Sequence, residues 1–147
     1  MKVKLLLLLS IITALNGCFL APAIDSFNKL GVTASDRQNL LASRIQSFND
    51  ALFFGAPGEA EEFVIPDKRL ELQRIIRRQR KEEKLVDMRV DAVGFESDAY
   101  KAIVDVVVRF YKVPFYVVNE RVERQVWEFS VSSSWQLSQR EEVKDGA

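Results

Sequence analysis

An alternating apolar stretch, YKAIVDVVVRF at residues 100–110, decides the fold class of this chain. Successive side chains of a β-strand point to opposite faces, so a period of two predicts one long strand here. One face carries Tyr100, Ala102, Val104, Val106, Val108 and Phe110. The other face is partly apolar as well, because it carries Ile103, Val107 and Tyr111. We therefore expect both faces to be covered, the second by a protein partner or by another copy of the chain.

The residues around this stretch continue the pattern of a sheet. Between residues 86 and 92, apolar side chains alternate with charged ones, and the apolar parity changes around Gly94, which predicts a β-bulge there. A loop at residues 132–134 would bring Val131 opposite Trp135. The half of the chain that follows residue 84 is therefore predicted to form four antiparallel strands.

The turn between the second and third strands sets which residues face each other. Asn119-Glu120 is the candidate two-residue turn, although it is a weaker signal than Asn-Gly. Counting back from it places Tyr116 opposite Glu123 and Phe110 opposite Phe129. The apolar rows of the two strands then share one face.

A first helix is predicted to begin near residue 35. Ser35 and Gln38 have the spacing of a capping box, in which each side chain bonds the backbone of the other residue. Four apolar residues follow at spacings of four, three and four, which places them on one helix face: Leu41, Ile45, Phe48 and Leu52. Gly55 and Pro57 supply the end of the helix.

Pro66 is predicted to open a second helix with two different faces. One face carries Leu72, Ile75, Ile76 and Gln79. The opposite face carries four cations: Arg74, Arg77, Arg78 and Lys81. This basic stripe is either a solvated surface or a contact with anionic lipid headgroups or an acidic partner.

Composition excludes several classes of site. The chain has 147 residues, one cysteine and no histidine, so disulfides within the chain, histidine-based catalysis and histidine metal sites are absent, and we expect no cofactor and no metal. The 21 basic and 21 acidic residues give a formal net charge of zero. A balanced charge argues against a nucleic-acid partner.

Helices followed by strands give an α+β order, and at this level a family resemblance emerges. The segment FNDAL at residues 48–52, the acidic turn through Phe63 and the helix that opens at Pro66-Asp67 resemble the first half of NTF2-like (nuclear transport factor 2-like) domains. The segment QVWEF at residues 125–129, followed by WQL at residues 135–137, resembles the terminal hairpin of that family.

The resemblance covers about residues 35–141 and implies a specific architecture. It implies N-terminal helices packed on a curved four-stranded antiparallel sheet, which together form a cone with a pocket inside. Members of the family often dimerise through the sheet. The partly apolar face around Ile103, Val107 and Tyr111 would suit such a homodimer, or an envelope protein partner.

Enzymes of the family, such as ketosteroid isomerases, place acid and base residues inside the cone. The predicted register puts only Tyr116, Glu123 and Gln125 there as polar residues, and a catalytic role for Glu123 and Tyr116 is the alternative hypothesis. The favoured hypothesis is a non-catalytic domain that binds a ligand or partner. These three residues, together with Trp127 and Trp135, are then the candidate contacts.

The N-terminus predicts where the protein is located. Lys2 and Lys4 precede an apolar run that is too short to span a bilayer, as in a secretory signal peptide. The run ends in Leu15-Asn16-Gly17-Cys18, which resembles the lipobox of bacterial lipoprotein precursors. That resemblance implies cleavage before Cys18 and acylation of the cysteine, and two or three acyl chains anchor a protein stably to a membrane. An ordinary signal peptide cut nearby is the alternative.

We therefore expect a signal peptide at residues 1–17, a lipidated N-terminus and tether at residues 18–34, the folded domain at residues 35–141 and a polar tail at residues 142–147. The mature protein would be held at the cell envelope. In a Gram-negative cell we expect the outer membrane, with the domain facing the periplasm.

Overall fold

The computed structural model describes residues 30–56, 58–96 and 98–143, and in these ranges two α-helices precede four β-strands. The elements are α1 (Ala34–Phe53), α2 (Arg69–Glu82), β1 (Glu83–Phe95), β2 (Lys101–Lys112), β3 (Phe115–Ser130) and β4 (Ser134–Val143). Two short 3-10 helices, Glu59–Phe63 and Pro66–Lys68, connect the α-helices. The predicted α+β order is confirmed. The predicted signal peptide, Cys18 and the first part of the tether lie outside the described residues.

Helix α1 is capped by Thr33, and the predicted cap at Ser35 is wrong. The amide of Asp36 donates to the Thr33 hydroxyl at 3.1 Å, while the Thr33 amide donates to the Asp36 carboxylate at 3.0 Å. Thr33 has the extended backbone that a cap requires, with φ −94° and ψ 160°, whereas Ser35 is already helical. The capping box is therefore real but begins two residues earlier.

The chain already packs on the domain within the segment predicted to be a tether. Gly31 has φ +66°, and a Cβ atom there would lie 2.5 Å from the ring of Phe129. The carbonyl oxygen of Gly31 accepts a hydrogen bond from Arg37 Nη1 at 2.9 Å. Only glycine combines this backbone conformation with so close an approach.

The apolar stripe of α1 is buried as predicted, since Leu41, Ile45, Phe48 and Leu52 all lie in the core. The C-terminal end of the helix is held by α2. Arg80 Nη2 donates to the carbonyl oxygens of Leu52 at 3.1 Å and Gly55 at 2.8 Å. A cation is favourable at this end of a helix because the exposed carbonyl groups carry partial negative charge.

The four strands form one antiparallel sheet in the order β1-β2-β3-β4. The β2–β3 turn lies at Val113-Pro114, so the predicted turn at Asn119-Glu120 is wrong and Asn119 pairs with Phe110 inside the ladder. Proline has no amide hydrogen to donate to a ladder, which explains why the chain turns there. From Arg121 to Glu128, each β3 residue is therefore displaced by ten positions from its predicted partner. Because ten is an even number, the same residues still face inward.

The β3–β4 turn and the bulges also differ from the predictions. Ser130 pairs with Ser134 and Phe129 with Trp135, so the turn begins at Val131, one residue before the predicted loop. Gly94 pairs regularly with Ile103, and the irregularities of β1 lie between Leu85 and Asp87 and between Val90 and Ala92. The strand β4 continues to Val143, which places the first residues of the predicted polar tail in the sheet.

The core lies between the helices and one face of the sheet. Its aromatic centre is formed by Trp127 and Trp135, which are both inaccessible to solvent. The Phe48 ring of α1 meets Trp127 edge-on with 5.5 Å between ring centroids, and Phe129 meets Trp135 at the same distance. These contacts fix how α1 sits on the sheet.

Candidate functional site

Four charged side chains form a buried ion-pair network on the helix-facing side of the sheet. The carboxylate of Glu123 accepts from Arg121 Nε at 2.7 Å on one oxygen and from Arg140 Nε at 2.7 Å on the other. Arg121 Nη1 donates to Glu83 at 2.6 Å, and Arg140 Nη1 donates to the amide oxygen of Gln79 at 3.1 Å. The network thus joins β1, β3 and β4 to α2.

The charges of the network balance, with two carboxylates and two guanidinium groups. Burial alone lowers the pKa of Arg121, but the carboxylates of Glu123 and Glu83 outweigh that effect and raise the pKa above its ordinary value. Arg121 therefore stays charged, and its side chain also stacks on the Phe110 ring at 4.4 Å from the centroid.

A cavity of about 420 Å³ opens beside this network, between the ends of α1 and α2 and the sheet. Its apolar wall is made by Leu52, Phe53, Ile76, Leu85 and Tyr111. Its polar wall is made by Gln79, Arg80, Glu83, Lys84 and Arg140. A pocket of this size, in which polar groups converge opposite an apolar wall, has the form of a small-molecule site. Glu83 and Arg140 belong both to the cavity and to the network.

Two buried donors near the network have no hydrogen-bond partner in the described part of the chain. They are Arg121 Nη2 and Gln125 Nε2. The other end of the Gln125 amide is used, because its oxygen accepts from Trp127 Nε1 at 3.0 Å. Native structures rarely leave buried donors unpaired, so this part of the core departs from ordinary packing.

Comparisons with known proteins identify the fold. No protein-family profile and no curated protein matches the sequence. Among solved structures, a ketosteroid isomerase-like protein from Erwinia carotovora is similar with 12% identity and a TM-score of 0.53 over 73% of this chain and 96% of its own. A proposed polyketide cyclase from Xanthomonas campestris has 11% identity and a TM-score of 0.52 over 74% and 93%. The chain has an NTF2-like fold.

A third solved structure of similar shape carries a different name. It is a SEC-C motif-containing protein from Rhodopseudomonas palustris, with 18% identity and a TM-score of 0.56 over 74% of this chain and 89% of that one. Identities this low establish a similar fold and nothing about activity. The chemistry of this chain must therefore be argued from its own residues.

The predicted pair of Tyr116 and Glu123 does not exist in the NTF2-like domain. Glu123 is 2% exposed and lies opposite Val106, whereas Tyr116 is 75% exposed beside the β2–β3 turn. The two residues lie on one strand, about 23 Å apart at roughly 3.3 Å per residue. The position of the turn explains the difference. The predicted turn at Asn119-Glu120 places Tyr116 on the second strand, whereas the turn at Val113-Pro114 places it on β3 with Glu123.

The two tryptophans are core residues in this structure. Trp135 Nε1 donates to the carbonyl oxygen of Arg37 at 2.7 Å, and neither indole is exposed or lines the cavity. Both indoles are buried within the described residues, so contact of Trp127 or Trp135 with a partner stays a prediction. Gln125 is likewise fully buried.

The basic stripe lies on the outer face of α2, as predicted. Arg74, Arg77, Arg78 and Lys81 are all exposed, while Leu72 and Ile76 on the opposite face are buried. Contact of this stripe with lipid or an acidic partner stays a prediction.

The outer face of the sheet is less open than its sequence indicated. Val107 is 3% exposed within a single chain, whereas Ile103 remains accessible. Beside them, Arg124 forms a two-pronged ion pair with Asp105, with both N···O distances 2.9 Å. A dimer through this face therefore stays a prediction, with Ile103 as its remaining apolar residue, because Tyr111 lines the cavity.

Sequence reasoning missed most of the network. Arg121 shares the inward parity of Glu123 and Gln125, and this row of polar residues on a core-facing side was a signal that could have revealed it. Glu83 and Arg140 had no such signal, because each lies near the predicted end of an element.

None of the helices in the described ranges has the length and hydropathy of a membrane span. The same ranges contain no group of three His, Cys, Asp or Glu side chains that could hold a metal ion.

Proposed function

We propose that this protein is a lipid-anchored envelope protein whose NTF2-like domain binds a small amphipathic molecule without transforming it. The observation that carries the binding role is the cavity of about 420 Å³ with one apolar and one polar wall. The membrane anchor is inferred from the lipobox-like sequence that ends at Cys18.

The network supports binding over catalysis. A general base must offer a free carboxylate oxygen to the proton that it removes. Each oxygen of Glu123 is already held by a guanidinium at 2.7 Å, and the residue does not line the cavity. Glu123 thus stabilises the arginines, and Tyr116 lies too far away to assist it.

The polar wall favours a ligand with a negative group. Arg140 is compensated by Glu123, and Glu83 by Arg121, whereas Arg80 and Lys84 have no carboxylate within ion-pair distance in the described residues. Arg80 Nη2 is occupied by backbone carbonyls, but its positive charge still faces the cavity. A carboxylate with an apolar body would match both walls.

Titration with decanoate tests this binding role. We expect saturable binding by calorimetry and chemical-shift changes at cavity residues, and weaker binding of decanol, which has the same body and no charge. Lys84→Glu should weaken decanoate binding, while Arg74→Glu, an exposed charge reversal on α2 outside the cavity, should not. Equal binding of decanoate and decanol, or equal loss in both variants, would reject an anionic ligand.

Lipidation is tested separately by mass analysis of the mature N-terminus. We expect cleavage before Cys18 and a mass increase that corresponds to acyl chains on this residue, and the change Cys18→Ser should release the protein from membranes. An unmodified Cys18 would remove the anchor from the proposal and leave the cavity argument intact.

The accessible surfaces define two further proposed contacts. The basic stripe would strengthen attachment to anionic lipid, so replacing Arg74, Arg77 and Arg78 by Gln should weaken binding to anionic vesicles.

The outer sheet face would support self-association or an envelope partner. Sedimentation that shows a monomer at high concentration, unchanged by Ile103→Glu, would argue against a homodimer.

A second candidate function, a small-molecule isomerase, dehydratase or hydrolase, is favoured by one observation. Among the lining residues Glu83 is the one carboxylate, and its side chain is 11% exposed. One oxygen of Glu83 is bound by Arg121 at 2.6 Å, and the other lies 3.9 Å from Lys112 Nζ, so this second oxygen is able to accept a proton from a bound substrate. Exchange of the α-protons of a cyclic ketone in D2O, lost in Glu83→Gln but kept in Glu128→Gln, would support this alternative.

A further inference from the structure

The β2–β3 turn carries an unusual density of exposed apolar side chains. We call residues 113–118 the hairpin tip. Five of its six residues are large and apolar, and each is between 45% and 75% exposed: Val113, Phe115, Tyr116, Val117 and Val118. Single exposed apolar residues are common, but a contiguous group marks a surface that meets another molecule.

The hairpin tip projects past the rest of the sheet. The strand β1 pairs with β2 only as far as Glu83 with Lys112, and β4 pairs with β3 only from Val143 with Val122. No strand of the described chain therefore flanks the tip on either side. The tip is free to enter whatever lies beyond the end of the domain.

Apolar side chains occupy both faces of the hairpin tip. Phe115 and Val117 point to one face, and Tyr116 and Val118 to the other, since neighbours on a strand alternate. A protein partner that docks on one face would leave the second face in water. The interfacial region of a bilayer surrounds an inserted hairpin on both faces.

Cations lie at the base of the hairpin tip. Lys112 adjoins the tip, Lys84 pairs with Tyr111, and Arg109 lies two rows further from the tip, between Asp87 on β1 and Glu120 on β3. Lys81, the last residue of the basic stripe, is followed directly by Glu82, which is also exposed. Glu83 is already engaged by Arg121 and Lys112. Lys112 and Lys84, the two cations closest to the tip along the strands, can contact anionic headgroups when the apolar tip is inserted.

We propose that the hairpin tip inserts into the interfacial region of an anionic lipid bilayer. This contact is independent of the Cys18 anchor. The tip lies at the end of β2, whereas Gly31 and Arg37 lie at its start beside Ala99, so the two regions are separated by the length of that strand, about 36 Å.

Tryptophan fluorescence tests the insertion directly, because Trp127 and Trp135 are buried and serve as a constant background. The full chain is reconstituted in vesicles of phosphatidylcholine and phosphatidylglycerol with or without bromine in the acyl chains. Phe115→Trp and Tyr116→Trp place one probe on each face of the tip. In both variants, we expect brominated lipid to reduce the fluorescence of the introduced tryptophan by about half. Side chains at the depth of an interfacial segment lie close enough to the acyl chains for this quenching.

Val131→Trp is the matched control, since Val131 is 64% exposed but lies at the β3–β4 turn, at the other end of the sheet. Its added signal should not respond to bromine. Quenching of this control alone, or of none of the three, overturns the proposal. Quenching of only one tip position indicates a one-sided contact and also overturns it.

Varying the salt concentration distinguishes electrostatic attraction to anionic headgroups from insertion of the apolar side chains. Added salt should reduce quenching of the Phe115→Trp signal in vesicles with phosphatidylglycerol, because salt screens the attraction of Lys84, Arg109 and Lys112. The effect should be absent in vesicles of phosphatidylcholine alone. Equal salt dependence in both would contradict the preference for an anionic bilayer.

Discussion

Glu123 on β3 and Arg140 on β4 form a buried ion pair in which Nε lies 2.7 Å from Oε2. The other oxygen of Glu123 is bound by Arg121, so the carboxylate joins two cations at the end of an otherwise apolar core. Removing charges from water is costly, and such a group persists only where its partners replace the lost hydration. The pair therefore lies where the apolar core ends and the cavity begins.

Replacing Glu123 by Gln should destabilise the protein by about 3 kcal/mol, because two buried guanidinium groups lose their shared counter-charge. Glu128→Gln is the control, since Glu128 is exposed on the same strand and should change stability by less than about 0.5 kcal/mol. Urea denaturation measures both. Similar midpoints for the two variants would mean that water already screens the network.

Thr33→Ala should lower the free energy of unfolding by about 1 kcal/mol, because it removes the side chain that accepts from the Asp36 amide. Ser35→Ala changes the residue that the sequence indicated as the cap, and should be nearly neutral. Thermal melts at one protein concentration compare the two. A larger loss of stability in Ser35→Ala than in Thr33→Ala would mean that Ser35 is the helix cap, as the sequence predicted.

The sequence was sufficient for those features that follow from periodicity. The 3.6-residue spacing of Leu41, Ile45 and Phe48 identified the buried face of α1, and the period of two identified the inward row of β2. Both depend on the direction of side chains relative to one element. They are insensitive to where that element begins or to its exact partner.

Register and site geometry depended on information that periodicity does not contain. Asn119-Glu120 has turn-forming residues, but the missing amide hydrogen of Pro114 decided the turn, and the resulting shift separated Tyr116 from Glu123. Glu123 was correctly expected to face inward. Its partner Arg140 could not be inferred, because the contact joins side chains from two strands and depends on the β3–β4 register.

Trp127→Ala should destabilise the protein by about 3 kcal/mol or more, because the indole is fully buried against Phe48 and its removal leaves a cavity. Phe129→Ala should cost a similar amount. Val117→Ala, an exposed truncation on the same strand, should stay within about 0.5 kcal/mol of the wild type. A neutral result for Trp127→Ala in chemical denaturation would contradict the core described for the sheet.

The ion pair of Asp105 and Arg124 predicts a pH dependence of stability. The hydrogen bonds from Arg124 hold the pKa of Asp105 below its ordinary value of 3.8, and they outweigh the effect of partial burial, which raises it. A carboxyl group whose pKa is lower in the folded state stabilises that state at every pH above the unfolded value. This contribution is lost as the pH falls through the folded pKa.

Asp105→Asn should therefore be less stable than the wild type near neutral pH, and the two should converge as the pH falls below 3.8. Urea midpoints measured from neutral pH down into the acid range would follow this convergence. Arg124→Gln removes the same interaction from the other side, so the double variant should lose little more than either single variant. Because both side chains are partly exposed, added salt should also reduce the difference at neutral pH. A difference that persists unchanged into the acid range would instead mean that Asp105 acts through packing rather than through its charge.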